Sequence, residues 1–336
     1  MNRRTFLKLL AGTAAATPFA SYGSQDDALG AILPQRLLGK TPVTCLGLGG
    51  FHIGWTTESL AQATIEAAIE EGVRFFDTAE SYGPHISEER YGKYLTPKYR
   101  DHIFLMTKST AKDGPTARQH IEDSLRRLQT DRIDLWQIHA LASPEDVDQR
   151  LSGGVLDEAI KARNEGKISH IGFTGHASPY AHLRMLEHTA GDASPFLACQ
   201  FPINPVDAAS THSFIEKVLP TLDSKGISAL AMKTLADGRF FGRKIANEKV
   251  QWETEDPLIP NALSIADCIH FALSLPISVL ITGAENPDFL REKANLARSF
   301  HQLSAPERQA LISRAIPEAR KGKVEYYKSP DLRAST

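Results

Sequence analysis

Residues 133–175 read IDLWQIHALASPEDVDQRLSGGVLDEAIKARNEGKISHIGFTG. An apolar run from Ile133 to Ala140 leads, through the amphipathic stretch LDEAIKARNEGK, to a second apolar run from Ile168 to Gly175. Gly166 falls where a helix C-cap is expected. Two short strands joined by a helix make a parallel pair with a right-handed crossover. The alternation continues in both directions. Upstream lie VTCLGLG from Val43, RFFDTA from Arg74 and IFLMTKS from Ile103; downstream lie FLACQF from Phe196, ISALAMK from Ile227 and ISVLITG from Ile277. Stretches such as SLAQATIEAAIEEG and TARQHIEDSLRRLQ separate them. Eight such runs predict one closed (β/α)8 TIM barrel rather than an open doubly wound sheet. The glycines after the first run, Gly47, Gly49, Gly50 and Gly54, lack the G-x-G-x-x-G spacing of a Rossmann fingerprint.

The barrel is expected over residues 34–322, with flanking segments on both sides. A length of 336 residues allows two domains or one barrel with extensions, and 42% hydrophobic with 23% charged residues excludes collagen-like, disordered and multi-span membrane chains. A net charge of -2 supplies no basic field for nucleic acid. Cys45, Cys199 and Cys268 stand far apart, matching neither a CxxC site nor a disulfide scaffold, and read as buried thiols. Residues 1–20, MNRRTFLKLLAGTAAATPFA, combine paired arginines, a short apolar middle and small residues, the pattern of a twin-arginine-type signal. They predict an exported, periplasmic protein that engages the twin-arginine export machinery, or one anchored by an uncleaved signal. Residues 21–33 read as a linker and 323–336 as a loose tail. FFGRKIANEKVQWETEDPLIP, after Lys233, reads as a loop insertion on the active face, and Ala305 to Lys321 as an extra helix.

In a parallel barrel, function sits at the C-terminal ends of the strands. There the second, third and fourth runs carry Asp77, Lys108 and His139, and Tyr82 follows Asp77 in DTAESYG. Each alone has a bland explanation as a helix cap, a solvated cation or a structural imidazole. Together they fit one chemistry. A tyrosine, with an ordinary pKa near 10, becomes a usable acid when a cation stabilises its phenolate, and Lys108 paired with Asp77 supplies that cation. His139 is placed to hydrogen-bond a substrate oxygen.

GVRFFDTAESYG with SEERYGKYL, FLMTKS, SLRRLQTDRIDLWQIHA, EGKISHIGFTGH and VLITGAENPDFLREKANL together resemble the aldo-keto reductase superfamily from about Leu38 to Arg298. The resemblance implies a nicotinamide-dependent oxidoreductase in which Asp77, Tyr82, Lys108 and His139 form the catalytic tetrad and Tyr82 donates the proton. It implies Gln200 at the nicotinamide carboxamide, with Thr174, Gly175 and His176 near it in place of the family's frequent Ser-Asn pair. FTGH together with AMKTLADG resembles a bacterial branch with Lys on the seventh strand, so Lys233 is expected at the pyrophosphate or the substrate. Some of that branch carry a C-terminal iron-sulfur segment, but no cysteine follows Cys268 here.

Gly283 and Ala284 open a helix whose N-terminus suits the adenosine phosphate. Arg291 and Asn295 keep the i, i+4 spacing with which the family reads adenine. Glu285 falls where NADPH-preferring members often carry Lys or Arg, and its charge would repel a 2'-phosphate. The expected cofactor is NADP or NAD, tightly bound if the chain is exported with it, and the expected substrate is a small carbonyl or alcohol. A cofactor-holding sensor barrel with little turnover would show a damaged tetrad. A metal-dependent sugar isomerase would need carboxylates and His at several strand ends.

Overall fold

The computed structural model describes residues 26–188, 194–246 and 249–334. Eight strands run β1 (Leu46–Gly49), β2 (Phe75–Asp77), β3 (Phe104–Ser109), β4 (Ile133–Ile138), β5 (Ile168–Thr174), β6 (Phe196–Pro202), β7 (Ser228–Met232) and β8 (Val279–Thr282). Each pairs in parallel with its chain neighbour, and β8 pairs with β1 to close the barrel. Around it lie α1 (Glu58–Glu70), α2 (Ile86–Tyr94), α3 (Gly114–Arg127), α4 (Val155–Asn164), α5 (Pro179–Glu187), α6 (Leu219–Lys225), α7 (Ile265–Leu273) and α8 (Pro287–Arg298). The extra helix, α9 (Ala305–Lys321), follows. Helix starts are encoded locally. Thr57, Asp113, Ser178 and Asn286 each accept from a backbone N–H of the first turn.

Both faces of the strands are covered, which is why they read as apolar runs. Strand side chains alternate, and Phe75, Met106, Leu135, Ala198, Leu230, Val279 and Ile281 fill one interior cluster. Leu38 and Val43 enter the same cluster from an antiparallel hairpin, Gln35–Leu38 with Thr41–Thr44. Arg36 fixes that hairpin to the barrel bottom by donating to the Ile277 and Leu273 carbonyls at 3.0 and 2.6 Å. The run from Val43 is therefore two elements, because Val43 belongs to the plug and β1 begins at Leu46. Two residues farther along their strands, Phe75, Met106, Leu135 and Ala198 give way to Asp77, Lys108, Gln137 and Gln200, so the interior turns polar toward the C-terminal mouth.

Two flanking segments differ from expectation. Residues 26–33 are not a free linker: Asp26–Asp27 pairs with Gly30–Ala31, Asp27 takes two bonds from Arg74, and Leu33 is buried. Nor is the segment after α9 loose. Val324, Glu325, Tyr327 and Lys328 are buried, and the Ser329 N–H bonds the Ala177 carbonyl at 2.9 Å. Arg36, Asp27 and Lys328 show the common reason: a charged residue in a polar segment still docks when a buried partner waits for it. The insertion after β7 forms its own hairpin, Arg243–Ala246 with Lys249–Glu253. The signal-like residues 1–20 lie outside the described residues.

Candidate active site

Asp77 is the last residue of β2 and Lys108 the penultimate residue of β3. Both are almost wholly buried, at 3% and 1% exposure. The Lys108 ammonium pairs with Asp77, donates to the Thr78 carbonyl at 2.8 Å and reaches the Tyr82 hydroxyl at 3.3 Å. Its Nζ also lies 4.7 Å from the Tyr82 ring centroid. Tyr82 is held by a tight backbone approach. A Cβ on Gly83 would meet the Gly54 carbonyl oxygen at 2.1 Å, and φ there is 65°, so the Tyr82 turn closes against the short helix Gly50–Trp55 only with glycine. Glu80 ties down the other side, accepting from the Thr110 N–H and hydroxyl at 2.9 and 2.7 Å. His139, just past β4, meets Tyr82 edge-on with ring centroids 5.7 Å apart, and Phe51 does the same at 5.5 Å.

The charges of this group are interdependent. Burial raises the Asp77 carboxyl above the usual carboxylate range, while Lys108 and then Gln200 pull it back. Burial acts most strongly against the Lys108 ammonium, yet Asp77 and Tyr82 outweigh it and hold its pKa above the ordinary lysine value. Burial likewise raises the Tyr82 phenol, opposed by Lys108. His139 lies well below the ordinary histidine value through burial, then through the charges of Lys108 and His176, so its ring is neutral at pH 7. The site therefore rests with a protonated phenol beside a permanent cation, and a neutral imidazole next to both.

The amino-acid sequence from 45 to 307 matches the Aldo/keto reductase family. The chain belongs to that family. It is 29% identical over 227 residues to the uncharacterized oxidoreductase YrpG of Bacillus subtilis, across 60% of this chain and 65% of that protein. It is 30% identical over 223 residues to the L-galactose dehydrogenase of Arabidopsis thaliana, across 60% of this chain and 66% of that one. The chain thus spans just under two thirds of the length of these relatives. Among solved structures, aldo-keto reductase AKR11C1 from Bacillus halodurans in its holo form superimposes with a TM-score of 0.67 at 22% identity, covering 84% of this chain and 96% of that one. An aldo-keto reductase from Klebsiella pneumoniae in complex with NADPH gives 0.63 at 19% identity, over 82% and 93%. At these identities the likeness is one of fold.

Asp77, Tyr82, Lys108 and His139, the four residues expected to form a tetrad, come together at one barrel mouth. The other expected residues are divided. Thr174 and Gly175 are buried at the end of β5, and His176 turns its Nδ1 toward the Tyr327 carbonyl at 3.3 Å. Burial, then Lys233, pushes His176 down to about 4. Lys233 has its Nζ 4.9 Å over the Tyr327 ring.

Gln200 lies inside the barrel, where its Oε1 accepts from Gln137 at 2.9 Å. At the end of β8, a Cβ on Gly283 would fall 2.3 Å from the His52 Nδ1, so only glycine lets the His52 ring lie on this backbone. The His52 Nε2 meets Glu285 at 3.3 Å, and this bond holds the Glu285 carboxyl down at about 2.

Arg291 engages Glu70, Glu71 and Asp288, and Asn295 accepts from Arg298 at 2.8 Å. Also on α8, the buried Lys293 donates its Nζ to the Gly283 carbonyl at 2.6 Å. Sequence reasoning also missed Tyr326 and Tyr327. The Arg239 guanidinium stacks between Tyr326 and Trp252, at 3.7 and 5.1 Å from their centroids, and ties the C-terminal segment to the insertion hairpin.

Proposed function

We propose that the chain is an NAD(P)-dependent oxidoreductase that interconverts a carbonyl and an alcohol, with Tyr82 as general acid in reduction and general base in oxidation. The observation that carries this reading is the Lys108 ammonium, buried between Asp77 and the Tyr82 hydroxyl at 3.3 Å. A nicotinamide dinucleotide, when bound, supplies or accepts the hydride at C4. Tyr82 keeps its proton at neutral pH because burial raises its pKa, and Lys108 lowers the energy of the phenolate as that proton leaves. His139, neutral, donates a ring N–H to the substrate oxygen and orients it. Asp77 keeps Lys108 charged.

The cradle at β8 fits a dinucleotide. Gly283 lets the His52 ring pack against its backbone, and the Gly283 and Ala284 N–H groups with the N-terminus of α8 would meet a phosphate. Thr174, Gly175 and His176 flank the nicotinamide side, and Lys233 faces the pyrophosphate or the substrate. Glu285 disfavours a 2'-phosphate, giving preference to NADH or use of both cofactors. Phe51 and Trp55, exposed beside Tyr82, offer stacking faces, while His139, His176 and Lys233 add polar contacts. The substrate class is then a small carbonyl or alcohol, with sugar-derived compounds supported by the relative named L-galactose dehydrogenase. The twin-arginine-type residues 1–20 take the folded, cofactor-loaded chain to the periplasm in this account.

The test is titration of NADH and NADPH, by quenching of protein fluorescence, into the full chain and its Glu285→Lys variant. The reading predicts that the NADPH to NADH affinity ratio rises on the order of tenfold, equivalent to about 1.4 kcal/mol. An unchanged ratio removes Glu285 from the 2' pocket, and no binding of either cofactor removes the proposal.

A further inference from the structure

Lys233 directly follows β7 at the mouth of the barrel and opens a strained turn. Its φ is 53°, and Ala236 and Asp237 in the same turn stand at 48° and 58°, left-handed values that non-glycine residues adopt at a cost. The turn is held all the same. The Lys233 carbonyl accepts from the Ala236 N–H at 2.9 Å and from the Asn204 side-chain amide at 3.2 Å. This fixed backbone carries an ammonium over an aromatic face: Nζ lies 4.9 Å from the Tyr327 ring centroid, with the side chain 20% exposed.

Among the described residues the ammonium meets one carboxylate oxygen, Asp237 Oδ1, at 4.0 Å, too far for any of its three N–H donors to bond. Asp237 is already engaged. Its Oδ2 accepts from Lys244 at 2.6 Å and from the Tyr326 hydroxyl. Glu325 and Asp207, close by in the strap and past β6, are taken by Lys328 at 2.6 and 2.8 Å. Lys233 and Lys244 therefore share one carboxylate, and one positive charge is left over at the mouth. The next residue, Thr234, is 5% exposed, and its hydroxyl has no hydrogen-bond partner among the described residues. On the far side of Tyr327, His176 Nδ1 lies 3.3 Å from the Tyr327 carbonyl oxygen, which can only accept, so Nδ1 carries the ring proton and Nε2 is left as an acceptor. Tyr327 spans the ends of β5, β6 and β7 through His176, Asn204 and Lys233, whereas the Gly283 cradle belongs to the seam of β8 with β1. The spare ammonium thus leans away from the cradle. A compact charge in surplus by one matches a singly charged group.

We propose that Lys233 determines substrate specificity by gripping a carboxylate, so that the preferred substrates are carbonyl or alcohol compounds bearing a carboxylate, with His176 Nε2 accepting from a hydroxyl near it. Sugar acids meet both conditions. This rests on the reading of the barrel mouth as a carbonyl and alcohol redox site, and Lys233 takes no part in the proton transfer.

The experiment uses the full chain and begins without turnover. Binding of 4-methylbenzoate is compared with that of 4-methylbenzamide, neither of which offers a carbonyl or alcohol to reduce or oxidise, by ligand-observed magnetic resonance with and without NADH. The native chain should hold the carboxylate about tenfold more tightly than the amide, the order expected of a hydrogen bond between charged groups. Lys233→Met should bring the two within about twofold, and Lys233→Arg, which keeps the charge, should retain the preference. In turnover, the kcat/KM ratios of D-galacturonate to D-galactose and of 4-formylbenzoate to its methyl ester should both fall about tenfold or more in Lys233→Met, through KM. A native chain that binds the carboxylate no more tightly than the amide overturns the proposal, even if the variants fail to fold. So does a preference that survives in Lys233→Met. A variant that loses affinity for NADH with both ratios unchanged assigns the ammonium to the pyrophosphate and overturns it as well. The binding readings need no hydride transfer, so carboxylate preference in a chain that reduces nothing would leave Lys233 its role and remove the oxidoreductase reading instead.

Discussion

Lys108 carries the most at the scale of a single residue, since one ammonium neutralises Asp77 and faces the Tyr82 hydroxyl. Lys108→Met leaves Asp77 buried without its cation. Breaking a buried pair from one side typically costs about 3–5 kcal/mol, although protonation of Asp77 offsets part of it. The variant should melt earlier, and its turnover should fall at least about 10²-fold, the usual contribution of a positioned acid. Wild-type turnover with an unchanged pH profile would reduce Lys108 to a structural role. Asp77, Lys108 and His139 were legible as one group because each is a titratable side chain at the end of an apolar run, and Tyr82 follows Asp77 in DTAESYG. Lys293 was missed because it lies off the Arg291 and Asn295 face; its partner is a backbone carbonyl, which leaves no trace in a sequence.

At the scale of elements, α5 ties the stability of the fold to pH. His182 is fully buried among Phe173, Phe201 and Phe214, with its ring nitrogens 3.3 and 3.4 Å from the Ser178 and Gln200 carbonyls. Burial pushes its pKa down to about 4. In the unfolded chain the ring takes a proton near pH 6.5, in the fold only near 4, so stability present above 6.5 is lost as pH falls between the two. For His182 alone that loss approaches roughly 3 kcal/mol at 1.36 kcal/mol per unit, with His139 and His176 acting in the same direction. Thermal melts should fall steeply from pH 6.5 to 4.5, and the slope should be shallower in His182→Phe. Equal slopes would show that the imidazole is already charged in the fold. Strands were the readable elements because burial on two faces writes itself as apolar runs. The plug hairpin was not, since Val43 continues the same run as β1 and only the turn at Cys45 divides them.

At the scale of the whole molecule, the first and last described segments hold the barrel bottom and mouth. Lys328, buried, pairs with Asp207 at 2.8 Å and Glu325 at 2.6 Å, while Asn204 reaches Glu325 and Tyr327. Composition could not show this, because a polar tail and a docked polar strap differ only in what waits on the barrel. Lys328→Met should release the strap by leaving two buried carboxylates unpaired, at a cost of about 3–5 kcal/mol. Hydrogen exchange over residues 323–332 should then rise while α1 to α4 stay protected; unchanged exchange in the strap would mean that Tyr326 and Tyr327 suffice to hold it. The proposed export would set a further requirement, because a chain that worked outside the cytoplasm would have to carry its dinucleotide along. Protein isolated from its native compartment should release near-stoichiometric NAD(P) on denaturation, whereas cofactor-free protein that exchanges added NADPH rapidly would contradict that part of the account.

The most direct measurement of the central claim is single-turnover transfer of deuterium from C4-labelled NADH and NADPH to a panel of aldehydes, ketones and sugars, read by mass spectrometry of the product. The account predicts deuterium on the former carbonyl carbon of at least one substrate, and a rate that falls at least about 10²-fold in Tyr82→Phe with cofactor affinity unchanged. Product without deuterium, or full-rate transfer in Tyr82→Phe, would contradict it.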